Sequence, residues 1–283
     1  MRLALISDIH ANLEALQATL QAISSQDVDR IVCLGDIVGY NSNPAECLAL
    51  LRDADALCVA GSHDRAAAGL ITTEGFSSSA AQGVAWTRAR LDVDDLEFLA
   101  ALPLQVSMQG QLVGVHGALL PEGGCDTTRL TTEKGRRTSF EALAAHASGA
   151  RVCAFGHTHR LGLFELRDGV ERELAGDEVS LRDDAYYLVN PGAVGQPRKT
   201  KDHRATYMLF DTSRRIVTVH RVAYDFAKAM AKSRKAGLAP AYYAIPAPLR
   251  ATLAWGARTL GVLNAAKRLA DSRQRRRREA GRN

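Results

Sequence analysis

Five apolar runs of this sequence lead directly into residues able to hold a metal ion. RLALIS runs into Asp8 and His10, RIVCLG into Asp36, and LCVAG into Ser62, His63 and Asp64. LVGV runs into His116, and RVCAFG into His157 and His159. Imidazole and carboxylate together suit Zn, Fe, Mn, Ni or Co better than Mg or Ca. In Asp8-x-His10 and His157-x-His159 two donors lie two residues apart. Extended backbone would put both on the same side, able to converge on one ion. A carboxylate can bridge two ions, which makes Asp36 a natural shared ligand, and Gly35 before it permits close backbone approach. A lone histidine is more often a surface or hydrogen-bonded residue, and His146, His203 and His220 are read that way. Coincidence is a poor explanation for donors at the ends of five separate runs.

The elements that must position these residues are legible too. The runs are β-branched and apolar without polar alternation, the pattern of strands buried on both faces. Asn12 can cap a helix over 13–24, where Leu13, Leu16, Leu20 and Ile23 recur at helical spacing. Pro44 opens a second helix over 44–53. Strand–helix–strand–helix–strand predicts an α/β start with parallel pairing. Ligands of such sheets gather outside the carboxyl ends of the strands, where all five polar groups fall.

A chain of 283 residues suffices for one large α/β domain or two small ones. Its 46% apolar and 24% charged residues are ordinary globular values, which excludes wholesale disorder. The net charge of +5 is concentrated in the stretch 267–283, so the folded body is nearer neutral. Cys33, Cys47, Cys58, Cys125 and Cys153 include no CxxC and read as reduced thiols of a cytosolic protein. MRLALISDIH has too short an apolar run for a signal peptide, and no stretch approaches a transmembrane span. The expected localisation is cytoplasmic.

Asp8-x-His10, the GDIVGY that contains Asp36, Gly61-Ser62-His63-Asp64, His116 in VHGAL, and Gly156-His157-Thr158-His159 resemble the calcineurin-like metallophosphoesterase superfamily in order and spacing. SDIHANLEAL, GDIVGYNSNPAECL, the helix near Trp86 and NPGAVGQPR are similar to its bacterial and archaeal phosphodiesterase-like branch. The likeness covers Met1 to about Leu238. It implies an α/β (α+β) fold, a four-layer αββα sandwich of two mixed β-sheets flanked by helices, with a dinuclear metal centre. Asp8, His10, Asp36 and His159 would hold one ion. Asp36, residue 62, His116 and His157 would hold the other. Manganese is the first expectation for both, with Fe, Zn, Ni and Co as alternatives. A hydroxide shared between the ions would attack phosphorus, and His63, oriented by Asp64, would act as catalytic acid. The family motif is GNHD, whereas this chain has Ser62 at the asparagine position. A neutral hydroxyl is shorter and a poorer ligand than an amide oxygen, so the second ion is expected to be held more weakly.

The implied activity is phosphodiester hydrolysis on a small phosphorylated substrate. Phosphomonoester, phosphoprotein or dinucleoside polyphosphate hydrolysis are alternatives, as is a scaffold that binds metal and turns over poorly because of Ser62. Arg65 and Arg198 are candidate contacts to the substrate phosphate. The loop 190–198 either approaches that phosphate or supports the ligand loops. Helices near AAQGVAWTRARL and over 93–102 form an insertion that could wall the leaving group. The stretches 205–211 and 216–224 alternate as a hairpin expected in the second sheet, before a helix over 225–238 that stops at Gly237. The domain therefore spans 1–238, followed by a helical extension over 239–270 and a basic, disordered tail over 271–283. The extension has an apolar face at Leu253, Leu260, Leu263 and Leu269, which could cover the body or a second subunit of a homo-oligomer. The arginine-rich tail reads as solvated, with nucleic-acid binding as an alternative, and no membrane partner is expected.

Overall fold

The computed structural model describes residues 1–108, 110–121, 125–196 and 202–238. The expected extension over 239–270, the tail over 271–283 and Arg198 lie outside the described residues. The chain begins with β1 (Arg2–Ile6), α1 (Leu13–Ser24), β2 (Arg30–Cys33), α2 (Pro44–Asp53) and β3 (Leu57–Cys58). Three helices follow, α3 (Ser62–Ala67), α4 (Ser78–Arg88) and α5 (Val93–Ala101). Next come β4 (Gln105–Met108), β5 (Leu112–Val115), a small pair β6 (Ala118–Leu119) and β7 (Cys125–Asp126), α6 (Glu133–Ala144) and β8 (Val152–Ala154). The chain continues through β9 (Leu161–Arg167), β10 (Val170–Glu173), β11 (Glu178–Ser180), β12 (Tyr186–Pro191), β13 (Ala205–Asp211), β14 (Ile216–Val222) and α7 (Phe226–Lys235).

Two six-stranded mixed sheets result, in the orders β11-β14-β13-β1-β2-β3 and β10-β9-β12-β8-β5-β4. β1, β2 and β3 run parallel, as do β5, β8 and β12. The period of two along β1 explains the layering. Leu3 and Leu5 face the space between the sheets with Val32, Leu34, Val152, Tyr187 and Val189. Ala4 and Ile6 face outward onto Leu16, Ile23, Leu48 and Leu51 of α1 and α2. A third apolar cluster joins Val113, Val115, Cys153 and Leu188 of the second sheet to Phe140 and Leu143 of α6. Helix, sheet, sheet and helix thus form the expected αββα sandwich.

The helix signals operate locally. Asn12 caps α1 by accepting the Ala15 N–H at 3.2 Å, and Pro44 stands at the first turn of α2. Asp225 caps α7, and Gly237, with φ at +73°, follows its end. One expectation is corrected. β13 and β14 do form a hairpin, but β13 pairs antiparallel with β1 and so belongs to the first sheet. The cause is that β13 is apolar on both faces. Met208 and Phe210 enter the layer between the sheets, while Tyr207 and Leu209 join the outer cluster. Such a strand suits an interior position beside β1 better than an edge. All five cysteines are free thiols, four of them buried. No helix among the described residues is long and apolar enough to cross a membrane.

Candidate metal centre

The donors sit where strands of both sheets end. Asp8 and His10 follow β1, Asp36 follows β2, and Ser62 and His63 open α3 after β3. His116 follows β5 of the second sheet, and His157 and His159 follow β8. The backbone there is not extended. Asp8, His10, Asp36, His157 and His159 all have φ between 49° and 63°, in the left-handed region. Such conformations cost non-glycine residues ~1–3 kcal/mol each and concentrate at functional sites. Hydrogen bonds between the ligand loops hold them, Asp8 N–H to Gly35 O at 3.0 Å and His10 N–H to Asp36 O at 2.9 Å. Glycines at two loop ends allow the approach. A Cβ on Gly35 would lie 2.9 Å from Gly61 Cα, and one on Gly61 would lie 2.8 Å from Asp36 Cα.

The convergence expected from spacing holds for Asp8 and His10 but not for His157 and His159. The two histidines diverge into separate clusters. Asp8, His10 and His159 offer ligand atoms within 4.8 Å of one another, as do Asp36, His116 and His157. His159 Nε2 lies 3.2 Å from His10 Nε2 and 3.3 Å from Asp8 Oδ1. His116 Nε2 lies 3.1 Å from His157 Nδ1. Asp36 Oδ2 stands between the clusters, 3.7 Å from His10 Nε2 and 3.3 Å from His116 Nε2. The expected sharing of Asp36 thus has a geometric basis.

The donor chemistry fits cations. The Nδ1 atoms of His10, His116 and His159 lie 3.1, 2.7 and 2.8 Å from the carbonyls of Val38, Leu34 and Gln196. A carbonyl only accepts, so each Nδ1 carries a proton, and wherever the ring is neutral its Nε2 presents a lone pair to the cluster. Burial, opposed by Asp36, holds His10 well below the usual histidine range. Lone pairs of two rings and a carboxylate converging from 3.2–3.3 Å make a donor set of one sign, which a divalent ion satisfies. The second cluster also demands positive charge. Burial opposes protonation of His116, but the charge and hydrogen bond of Asp36 outweigh it and raise its pKa to about 9. Burial, then the neighbouring His116 charge, drives His157 down to about 3.

The remaining predicted residues divide. His63 is buried, its N–H donates to Asp36 Oδ1 at 2.8 Å, and its ring centroid lies 4.8 Å from that of His10. Ser62 is buried and lines a cavity of about 560 Å³ together with Asp36, His63, His157 and His159. Asp64 Oδ1 accepts the Val38 N–H at 3.0 Å and its Oδ2 the Gly61 N–H at 2.9 Å. It ties the loop after β2 to the start of α3. Burial and then the Asp36 charge push its carboxyl up to about 7, against the pull of these two N–H groups. Arg65 is half-buried and is not among the cavity-lining residues.

Of the loop over 190–198, the described part supports its neighbours. Asn190 donates to Gly156 O at 2.8 Å, Gly195 N–H donates to Asp8 O at 3.0 Å, and Gln196 O holds His159. Of the two helices expected near the site, α4 reaches the cavity through Ala80, whereas Leu99 of α5 is buried in the outer core of the first sheet. Sequence reasoning missed Tyr40, Phe76 and Arg129, which line the cavity; Arg129 Nε donates to His157 Nε2 at 3.3 Å. Only Tyr40 carried a signal, as the last residue of GDIVGY.

A model of the calcineurin-like phosphoesterase superfamily domain matches residues 1–215. The chain belongs to this superfamily. Membership makes it a phosphoesterase-type hydrolase and implies divalent metal ions, for which the two clusters are the candidate ligands. The chain is 34% identical over 232 residues to an uncharacterized protein of Methanocaldococcus jannaschii, spanning 81% of this chain and 90% of the relative. A metallophosphoesterase from Sphaerobacter thermophilus superimposes with a TM-score of 0.68 at 33% identity, covering 85% of this chain and 95% of that one. A hypothetical protein of Pyrococcus horikoshii, at 18% identity and a TM-score of 0.66 over 84% of this chain and 94% of its own, shares the fold.

Proposed function

We propose that this metallophosphoesterase hydrolyses phosphodiesters at two manganese ions. The observation that carries the reading is Asp36 Oδ2, set between two donor clusters at 3.7 and 3.3 Å from a histidine of each, with His63 beside it on the cavity wall. Asp8, His10, Asp36 and His159 would hold one ion, and Asp36, Ser62, His116 and His157 the other. When bound, such ions lower the pKa of water and neutralise charge on phosphoryl oxygens.

The side chains supply the rest. Water oxygen joins phosphorus, its proton goes to solvent, and the P–O bond to the leaving group breaks with its electron pair on oxygen. His63 donates a proton to that oxygen. Asp64 keeps His63 in place indirectly, by clamping the start of α3 to the loop that bears Val38. Arg129 is the sole lysine or arginine among the described cavity-lining residues. One guanidinium matches the single negative charge of a diester better than the double charge of a monoester.

The test is metal removal followed by a substrate panel. Chelation should abolish turnover, and Mn should restore it better than Ca. Aryl phosphodiesters should be cleaved with higher kcat/KM than the corresponding monoesters, and Asp36→Ala should lose nearly all turnover. Full activity after chelation would overturn the metal reading, and a preference for monoesters would overturn the diester reading.

A further inference from the structure

The residues around His63 constrain what it protonates. The Tyr40 ring centroid lies 4.6 Å from that of His63, and the Phe76 centroid lies 5.2 Å from it. Both rings line the cavity. Neither is placed by a loose loop. Tyr40 adopts φ 63° in the turn that follows Asp36, and a Cβ on Gly83 of α4 would come within 3.0 Å of Tyr40 Cα, so α4 packs directly on that turn. Phe76 immediately precedes Ser77, the N-cap whose hydroxyl accepts the Ala80 N–H at 3.2 Å, and its own N–H donates to Thr73 O at 3.0 Å. The start of α4 therefore fixes Phe76 against the catalytic side of the cavity.

A leaving-group oxygen that receives a proton from His63 must lie within hydrogen-bond reach of the imidazole. The rings of His10, Tyr40 and Phe76 flank the imidazole; His10 belongs to the donor cluster, which leaves Tyr40 and Phe76 to meet the carbon skeleton attached to that oxygen. Flat faces favour a flat partner, since offset or edge-to-face aromatic pairs gain attraction beyond the area they bury. The charge on this wall points the same way. Its contribution from 74–80 includes one charged residue, Glu74, which is exposed at the rim. A carboxylate there disfavours a leaving group that carries a further phosphate. Arg129 donates to His157 at 3.3 Å, and the phosphoryl oxygens or the retained substituent would sit beside that pair.

We infer that Tyr40 and Phe76 form a leaving-group slot selective for uncharged aromatic alcohols, so that the substrate is a phosphodiester of a phenol. The inference rests on the phosphodiesterase reading for its chemistry but not for its binding. It also disfavours dinucleoside polyphosphates, whose departing half is a phosphate anion.

Two non-hydrolysable phosphinates of equal charge separate the cases. Diphenylphosphinate and dicyclohexylphosphinate are titrated by calorimetry into the full-length protein with Mn present. The aromatic compound is expected to bind about 3–10-fold more tightly, the value of one good aromatic pair. The saturated compound is the more apolar, so simple hydrophobic burial predicts the opposite order. Phe76→Ala should remove the difference by weakening the diphenyl compound alone, and Phe76→Trp should keep it. Equal affinities, no binding of either compound at millimolar concentration, or an equal loss for both in Phe76→Ala would each overturn the slot. Selective binding without hydrolysis of any diester would uphold the slot while sinking the phosphodiesterase reading. Diester hydrolysis without the affinity difference would do the reverse.

Discussion

Replacing Gly61 by alanine should disturb the centre without unfolding the domain. Gly61 has φ −89° and ψ 178°, a conformation open to any residue, so no backbone penalty arises. The obstacle is steric. The new Cβ would lie 2.8 Å from Asp36 Cα and nearer still to Asp36 N and Oδ1. Carbon atoms settle at about 3.5–4.0 Å, so the two loops must part by ~1 Å. Overpacking of this kind costs ~1–3 kcal/mol, partly offset by ~0.4–1 kcal/mol from the stiffer unfolded chain. The net loss of about 1–2 kcal/mol should lower Tm by about 2–8 °C for a domain of this size. Function should suffer more than stability. The displaced Asp36 is the carboxylate shared by both clusters, and its Oδ1 also accepts the His63 N–H at 2.8 Å. A shift of ~1 Å at reacting groups can cost ~10²-fold in rate. Thermal melts, metal content after gel filtration and diester turnover read the three effects. Gly135→Ala is the control, because its Cβ would meet nothing closer than Thr132 Oγ1 at 3.4 Å. If Gly61→Ala keeps wild-type Tm, full metal content and full turnover, the glycine contact does not hold the centre together.

Two further substitutions probe the site's chemistry. His63→Ala should leave metal content nearly unchanged and lower kcat by ~10²–10⁴-fold, with a smaller loss for substrates of acidic leaving groups. A uniform loss across leaving groups would instead assign the imidazole to charge stabilisation. Ser62→Asn should raise occupancy of the second ion at limiting Mn, with a smaller gain in turnover at saturation because mass action fills a weak site. If calorimetric titration finds the same stoichiometry and affinities for the variant and the wild type, Ser62 is not the weak ligand.

Much of the site could be read from the sequence because its donors follow the strands they depend on. Asp8, Asp36, His116 and His157 each lie within three residues of a strand end, so finding the strand finds the ligand. Helix limits were legible for a similar reason. Asn12 and Pro44 act within a turn of their own positions, and α1 and α2 begin where they point. What escaped depends on distant contacts. His157 and His159 part company, one joining Asp36 and His116 and the other Asp8 and His10, an outcome that the resemblance implied but that their spacing alone does not give. The carboxylate of Asp64 faces two backbone N–H groups that meet only after β2 and β3 pair. Phe76 and Arg129 come from stretches without periodicity, and their value lies in the cavity they share. The sheet that the hairpin joins was not legible, because a strand apolar on both faces fits the interior of either sheet.

The division of the donors between the sheets has a consequence for how the centre comes into being. Asp8, His10, Asp36 and His63 hang from the first sheet, while His116, His157 and His159 hang from the second. Two of the donor groups mix the sheets, Asp8 and His10 with His159 in one, Asp36 with His116 and His157 in the other, while a third, His10, Asp36 and His63, lies on the first sheet alone. Neither mixed group is complete on one sheet, and a growing chain has one of them only when residue 157 has emerged and the other at residue 159. The partner of β1 on its other side, β13, arrives later still. Ion affinity therefore gauges the docking of the two halves, and a bound ion in turn favours the docked form over any in which the sheets have come apart. With ions bound, the centre would act as a clasp across the sandwich.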